Sequence, residues 1–201
     1  PSEAPQSDPA PAVDRNSPYG LSGSGVPMLK SIFLGLLLVV CAVTPVAAQS
    51  LERAEAAYFR GDYADAMEMM LPLAEEGDRH AQYLIGFMHE RGQGVPKDPA
   101  KGAEWYGRAA ERGNPFAQNN LGVLYKHGRG VSQDYVMAYK WFDLAASGYL
   151  PAELGHRERA VLNQQDIVAK MTPEQVSEAQ KLAEEFCEAN AGFADRPPRV
   201  R

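Results

Sequence analysis

Hydrophobic residues are spread unevenly along the chain, and their spacing divides it into segments of different character. Residues 1–27 contain almost no large apolar side chains, whereas residues 31–43 form one continuous apolar run. Later segments place apolar residues at the spacing of an amphipathic helix, as between Val176 and Phe186. The pattern predicts an all-α fold that follows a short apolar segment and an N-terminal stretch unable to form a core.

Residues 28–48 have the composition of a secretory signal peptide. Lys30 supplies a positive charge, residues 31–43 form the apolar core, and Val46 and Ala48 are the small residues that precede a cleavage site. We therefore expect an exported protein, periplasmic or secreted in a bacterium. The alternative is an uncleaved helix that anchors the chain in the inner membrane, although the run is shorter than the ~20 residues that span a bilayer.

The flanking residues and the overall charge narrow the class of partner. Residues 1–27 are rich in Pro, Ser and Gly, so we interpret them as disordered or as sequence upstream of Met28. The net charge is −6, with acidic and basic residues interspersed. Nucleic-acid binding normally requires a clustered basic face, so we expect no nucleic-acid partner, and membrane contact only through an uncleaved signal segment.

Cleavage would remove Cys41 and leave Cys187 alone, so no intramolecular disulfide is expected.

The clearest pattern in the chain is an internal repeat with an offset of 36 residues. Residues 81–116 and 117–152 align with almost no gaps, and a degenerate unit covers about residues 51–80. The coincident pairs are Gly86 and Gly122, Gly92 and Gly128, Gly94 and Gly130, Asp98 and Asp134, and Trp105 and Trp141. Each unit is predicted to form two helices, A and B, and such units stack into an array.

The coincident residues have separate predicted roles in each unit. The aspartate caps helix B, because its carboxylate accepts free N–H groups of the first helical turn. The second glycine of each unit, Gly92 or Gly128, ends helix A. The first glycine, Gly86 or Gly122, lies inside helix A, where it indicates that another helix packs closely. The tryptophans recur with the repeat and are therefore expected in the core.

The loop Gly128-x-Gly130-Val131-x-x-Asp134, followed by Trp141 and an Ala-Ala pair, resembles the Sel1-like repeat, a relative of the tetratricopeptide repeat. The resemblance implies an α/α superhelix (solenoid) of helix–turn–helix repeats over residues 49–152. It also implies an interaction scaffold that binds a protein or peptide partner on the concave face lined by helix A.

The resemblance also implies which helix-A residues face the concave groove. They are Tyr83, Phe87, Glu90, Asn119, Val123 and Lys126. Large apolar groups at Tyr83 and Phe87 suit a peptide or a partner helix. Burial of both rings against a neighbouring helix is the alternative interpretation, and the sequence leaves it open.

The segment after the repeats is predicted to be helical and to cover the last unit as a C-terminal cap, residues 153–190. A first helix, from residue 153 to 170, is expected to carry an apolar face. That face consists of Leu154, Val161, Leu162, Ile167 and Val168. A second helix begins after Thr172, with Gln175 as its partner in a capping box. Residues 191–201 are expected to form a disordered tail.

Candidate catalytic chemistry is sparse in this sequence. His80, His89, His127 and His156 lie at unrelated repeat positions without metal-ligand spacing, so no metal site and no cofactor are expected. The glycine-rich loops follow helices, whereas a phosphate cradle requires a strand before the loop. We therefore expect a binding protein and not an enzyme. Two alternatives remain: a β-lactam-hydrolysing or β-lactam-binding enzyme, implied by resemblance to cysteine-rich relatives, and a structural component of the cell envelope.

Overall fold

The computed structural model describes residues 50–190. These residues form eight α-helices and one short 3-10 helix, with no β-strand in the described range. The helices are α1 (residues 50–60), α2 (Tyr63–Glu75), α3 (Arg79–Arg91), α4 (Pro99–Glu111), α5 (Pro115–His127), α6 (Tyr135–Gly148), α7 (Leu154–Val168) and α8 (Pro173–Ala189), with the 3-10 helix at Pro151–Glu153. The all-α prediction is confirmed.

The predictions that fall on residues 1–27, 28–48 and 191–201 lie outside the described residues. Within residues 50–190, no helix has both the length and the apolar character needed to cross a bilayer.

Aspartate side chains begin the second helix of both full repeats, as the sequence predicts. The Asp98 carboxylate accepts the backbone N–H groups of Ala100 and Lys101, both at 3.1 Å. Asp134 caps α6 in the same way, with distances of 2.9 and 3.0 Å. Each cap satisfies two N–H groups that have no partner within the helix and contributes about 1 kcal/mol.

Left-handed glycines end the first helix of each full repeat. Gly92 and Gly128 have φ values of 75° and 64°, a conformation that costs glycine little because it lacks Cβ. The prediction that these glycines terminate helix A is confirmed, and the chain turns back towards α4 and α6.

Close approach between helices explains the glycines inside α3 and α5. A Cβ added at Gly86 would lie 2.7 Å from Cδ1 of Tyr106, and one at Gly122 would lie 2.7 Å from Cε1 of Phe142. Tyr106 and Phe142 occupy equivalent repeat positions and are fully buried. The predicted close packing of another helix is therefore confirmed, and the helix involved is helix B of the same unit.

Consecutive units are joined by two contacts that recur at the 36-residue offset. A Cβ at Gly94 would lie 2.8 Å from Tyr63, and one at Gly130 would lie 2.4 Å from the carbonyl carbon of Pro99, so each loop packs on the start of the preceding helix B. Each buried glutamine on helix A donates to a carbonyl near the end of that preceding helix. These bonds join Gln82 to Ala74 at 2.8 Å and Gln118 to Ala110 at 3.0 Å. Helix α2 therefore contacts the next unit in the same way as α4, the helix B of the first full repeat, does.

The expectation that both repeat tryptophans lie in the core is correct only for Trp141. Trp141 is 5% exposed because the Phe186 ring of α8 packs against it at a centroid distance of 5.6 Å. Trp105 is only half-buried, and the Arg108 guanidinium lies 4.4 Å above its ring. The fully buried aromatic residue of α4 is instead its neighbour, Tyr106.

Both C-terminal helices pack against α6, and only part of the apolar face of α7 is buried. Ile167 is buried and Val161 is half-buried, but Leu154, Leu162 and Val168 are 56%, 64% and 38% exposed. The reason is that α8 packs along α6, where Ala179 and Ala183 are fully buried, and does not cover the outer side of α7.

The predicted start of α8 is confirmed. The Thr172 hydroxyl accepts the backbone N–H of Gln175 at 3.3 Å, and the Gln175 side chain accepts the Thr172 N–H at 2.9 Å. This reciprocal pair is the predicted capping box.

Candidate functional site

A cavity of about 250 Å³ lies on the side of the repeats formed by α3, α5 and α7. We call it the helix-A groove, because α3 and α5 are the first helices of their units. Five of the six predicted groove residues line it: Tyr83, Phe87, Glu90, Asn119 and Val123. The structure therefore brings together residues from two repeats that are 36 positions apart in sequence.

Lys126 is the exception and lies outside the lining of the groove. Its ammonium group lies 2.8 Å from the Asp166 carboxylate of α7, and its side chain is only 13% exposed. Lys170 also contacts Asp166, at 3.4 Å. Lys126 is thus used to hold α7 against α5, a contact that the repeat pattern does not contain.

One end of the groove is aromatic. The Tyr83 ring stacks on Tyr106 at 6.0 Å and contacts Phe116 at 5.8 Å. Phe116 in turn lies 5.2 Å from Tyr149 and 5.0 Å from His156. Burial raises the pKa of both Tyr83 and Tyr149, so their phenols remain neutral at physiological pH.

The two interpretations of Tyr83 and Phe87 are both partly right. Each ring is half-buried and packs against the core, and each also lines the groove. Tyr83 therefore supports the fold as well as the cavity, which affects the choice of residues to vary in an experiment.

Amide side chains occupy the middle of the groove and connect to a buried phenol. The Asn120 side chain donates to the Tyr106 hydroxyl at 3.1 Å, and that hydroxyl donates to the Glu90 carboxylate at 2.9 Å. Burial, followed by the nearby Glu90 charge, raises the pKa of Tyr106, so it stays a donor. Asn119 lies beside Asn120 and accepts from Asn163 of α7 at 3.4 Å.

The other end of the groove is charged. The Arg129 guanidinium lies 3.3 Å from the Glu90 carboxylate, and the Arg91 guanidinium lies 5.2 Å above the Phe87 ring. Arg159 of α7 also lines the cavity. Three arginines and one glutamate give the groove a formal charge of +2 with His156 neutral, in a chain whose net charge is −6.

Comparison with known protein families identifies the type of repeat that forms this groove. Two consecutive Sel1 repeats match residues 79–114 and 115–149, so that each match begins at the start of a helix A. Residues 79–149 are therefore two Sel1 repeats. Sel1 repeats generally serve as non-catalytic protein–protein interaction scaffolds.

Two solved structures show the same Sel1-like fold. A protective antigen present in uropathogenic Escherichia coli strains, which displays an SLR fold, is 30% identical with a TM-score of 0.63. The match covers 77% of this chain and 34% of the antigen. A Sel1 repeat protein from Oxalobacter formigenes is 28% identical with a TM-score of 0.51, over 69% of this chain and 56% of that protein. The chain thus spans about a third and just over half of the lengths of these relatives. No curated protein matches the chain.

The Sel1 repeat pattern alone did not identify seven of the twelve residues that line the groove. The residues that it missed include Phe116, Asn120, Arg129, Tyr149, His156 and Arg159. His156 and Arg159 belong to α7, which lies outside the two Sel1 repeats, so no repeat position marks them. Their spacing of three residues places them on one helix face and is the only local signal that they act together.

The remaining candidate chemistry is limited in the described part of the chain. No three or more His, Cys, Asp and Glu side chains among residues 50–190 are grouped to hold a metal ion. A second cavity, of about 450 Å³, lies on the helix-B side of the Sel1 repeats. There the Lys140 ammonium lies over the rings of Trp141 and Phe186, at 4.5 and 5.1 Å, and burial lowers its pKa.

Proposed function

We propose that the protein is an exported interaction module that binds a segment of another protein in the helix-A groove. The observation that carries this proposal is the groove itself, which combines half-buried rings, amide side chains and arginines contributed by two repeats and α7. Protein-binding sites typically combine an apolar centre with a small number of polar groups that fix orientation.

Each part of the groove has a distinct role in the proposed binding. The rings of Phe87 and Phe116 offer apolar surface to a side chain of the partner, since both are only half-buried. Asn119 and Asn120 offer carboxamides that donate and accept hydrogen bonds, which suits a peptide backbone. The arginines supply charge at the other end and along the rim.

Affinity capture from the cell envelope tests the groove proposal. A doubly substituted chain, Asn119→Ala with Arg159→Ala, should recover about tenfold less partner than the unsubstituted chain. These residues are preferable to Tyr83, whose removal would also disturb the core. Arg108→Ala, on helix α4, is the matched control, and circular dichroism verifies that all variants keep their helix content. Equal recovery by the doubly substituted chain would show that the partner binds elsewhere.

Export is the second part of the proposal and is supported by the signal-like residues 28–48. Expression of the full chain with a C-terminal tag should yield a periplasmic or secreted product whose mass corresponds to an N-terminus at Gln49. A product that retains residues 28–48 and resists extraction from membranes would instead support the anchored alternative.

A further inference from the structure

We propose that the helix-A groove selects an acidic segment, in which a carboxylate lies about three residues from a large apolar side chain. This inference rests on the proposed function, because it names the chemistry of the segment that the groove would bind.

The charge of the groove is the first observation. Its lining contains Arg91, Arg129 and Arg159 against the single carboxylate of Glu90. That carboxylate is largely buried, at 13% exposure, and already accepts the Tyr106 hydroxyl. The excess positive charge therefore faces the cavity and complements an anionic group, although the chain as a whole is acidic.

The state of Arg129 is the second observation. Its side chain is about half-exposed, and its contact with Glu90, at 3.3 Å, involves one nitrogen and one oxygen. A guanidinium has five N–H donors in a planar fork, so the contact with Glu90 leaves capacity for a second carboxylate. A lysine or arginine of a ligand would be repelled at this place.

The direction of the groove is the third observation and sets the spacing. Contacts join α7 to α5 in the same order along both helices: His156 to Phe116, Asn163 to Asn119 and Asp166 to Lys126. The aromatic groups of α5 and α7 thus lie near the N-terminal ends of these helices, with Arg159 close to Tyr149, whereas Glu90, Arg91 and Arg129 lie at or beyond the C-terminal ends of α3 and α5.

The distance along the groove follows from helix geometry and from the contacts that cross the groove. From Phe116 to Asn120, α5 advances four residues, or about 6 Å at 1.5 Å per residue. Hydrogen bonds of 3.1 and 2.9 Å through the Tyr106 hydroxyl then lead from Asn120 to Glu90, whose carboxylate lies 3.3 Å from Arg129. The two directions together separate the aromatic end from Arg129 by about 10 Å, which an extended peptide covers in three residues.

Nuclear magnetic resonance titrations with three capped peptides test this inference. The probes are Phe-Ser-Ser-Glu and the same peptide with Gln or with Lys in place of Glu, added to protein purified after export from cells that express the full chain. We expect the Glu peptide to bind at least about tenfold more tightly than the Gln peptide, and the Lys peptide to bind more weakly still. Equal binding of all three, or no shifts of groove resonances, would overturn the inference.

Two variants connect the selectivity to named residues. Arg91→Gln with Arg129→Gln should reduce binding of the Glu peptide to the level of the Gln peptide, whereas Arg108→Gln should change neither. Glu90→Gln keeps an acceptor for Tyr106 but releases Arg129, so binding of the Glu peptide should strengthen severalfold while the Gln peptide is unaffected. A general loss of structure would weaken every peptide and could not produce this gain.

The result also separates the two proposals. If the peptides are not discriminated but Asn119→Ala with Arg159→Ala still reduces partner capture, only the acidic selectivity is wrong. If capture is also unaffected, the groove proposal fails as well.

Discussion

At the scale of single residues, the interface between the two helices of each repeat is set by a missing side chain. Gly86 lies against both Tyr106 and the carbonyl of Gly102, at distances where a Cβ would overlap with them. Gly107, on the other side of α4, has no neighbouring atom within 4 Å of an added Cβ. A side chain at position 86 would therefore clash with α4, whereas one at position 107 would have free space.

These two glycines give opposite predictions for the same substitution. Gly107→Ala should raise the free energy of unfolding by about 0.5–1 kcal/mol, because alanine favours the helix and meets nothing. Gly86→Ala gains the same helix preference but forces Tyr106 to move, and overpacking of this kind costs about 1–3 kcal/mol, so the net change should be destabilising. Urea denaturation of both variants measures the difference. Stabilisation by Gly86→Ala would contradict the close packing described here.

Residues whose role depends on local chemistry could be predicted from the sequence. The caps Asp98 and Asp134 and the left-handed Gly92 act within a few positions of themselves, so their residue type is informative. The burial of Trp105 could not be predicted in this way. Its periodic match, Trp141, is buried by α8, which exists at only one end of the array.

At the scale of helices, the spacing of apolar residues after the repeats predicts the two C-terminal helices but not the way they pack. The helical spacing of apolar residues predicted α7 and α8, and the capping box located the start of α8. The spacing of apolar residues did not predict which face of α7 is buried, because α8 docks on α6 and leaves Leu154 and Leu162 exposed. Burial on α7 thus depends on tertiary contacts that no local period contains.

The docking of α8 on α6 can be tested with one small residue. Ala183 is fully buried in the contact, so Ala183→Glu would bury an unpaired charge and should release α8. Limited proteolysis should then cleave within α8 at lower protease concentration, while most of the helical circular dichroism remains. Ala189→Glu, at the exposed last position of α8, is the matched control. Unchanged resistance in Ala183→Glu would contradict the packing of α8.

At the scale of the whole repeat array, the groove depends on elements with different sequence signals. The family resemblance implied five of the lining residues, all of them on α3 and α5. Helix α7 supplies His156 and Arg159, although it does not belong to a Sel1 repeat. Lys126 forms an ion pair with Asp166 and does not line the groove. Arg159 of α7 thus raises the formal charge of the groove lining from +1 to +2.

Site-specific photo-crosslinking in cells tests most directly whether the helix-A groove is the binding face. A benzoylphenylalanine at position 87 replaces the Phe87 ring of the groove lining with another aromatic side chain and leaves Arg159 in place, whereas one at position 108 lies on helix α4, outside the groove lining. We predict that position 87 forms a covalent adduct with a partner protein, that position 108 does not, and that Asn119→Ala with Arg159→Ala reduces the adduct. An adduct formed from position 108 and not from position 87 would contradict the proposed binding face.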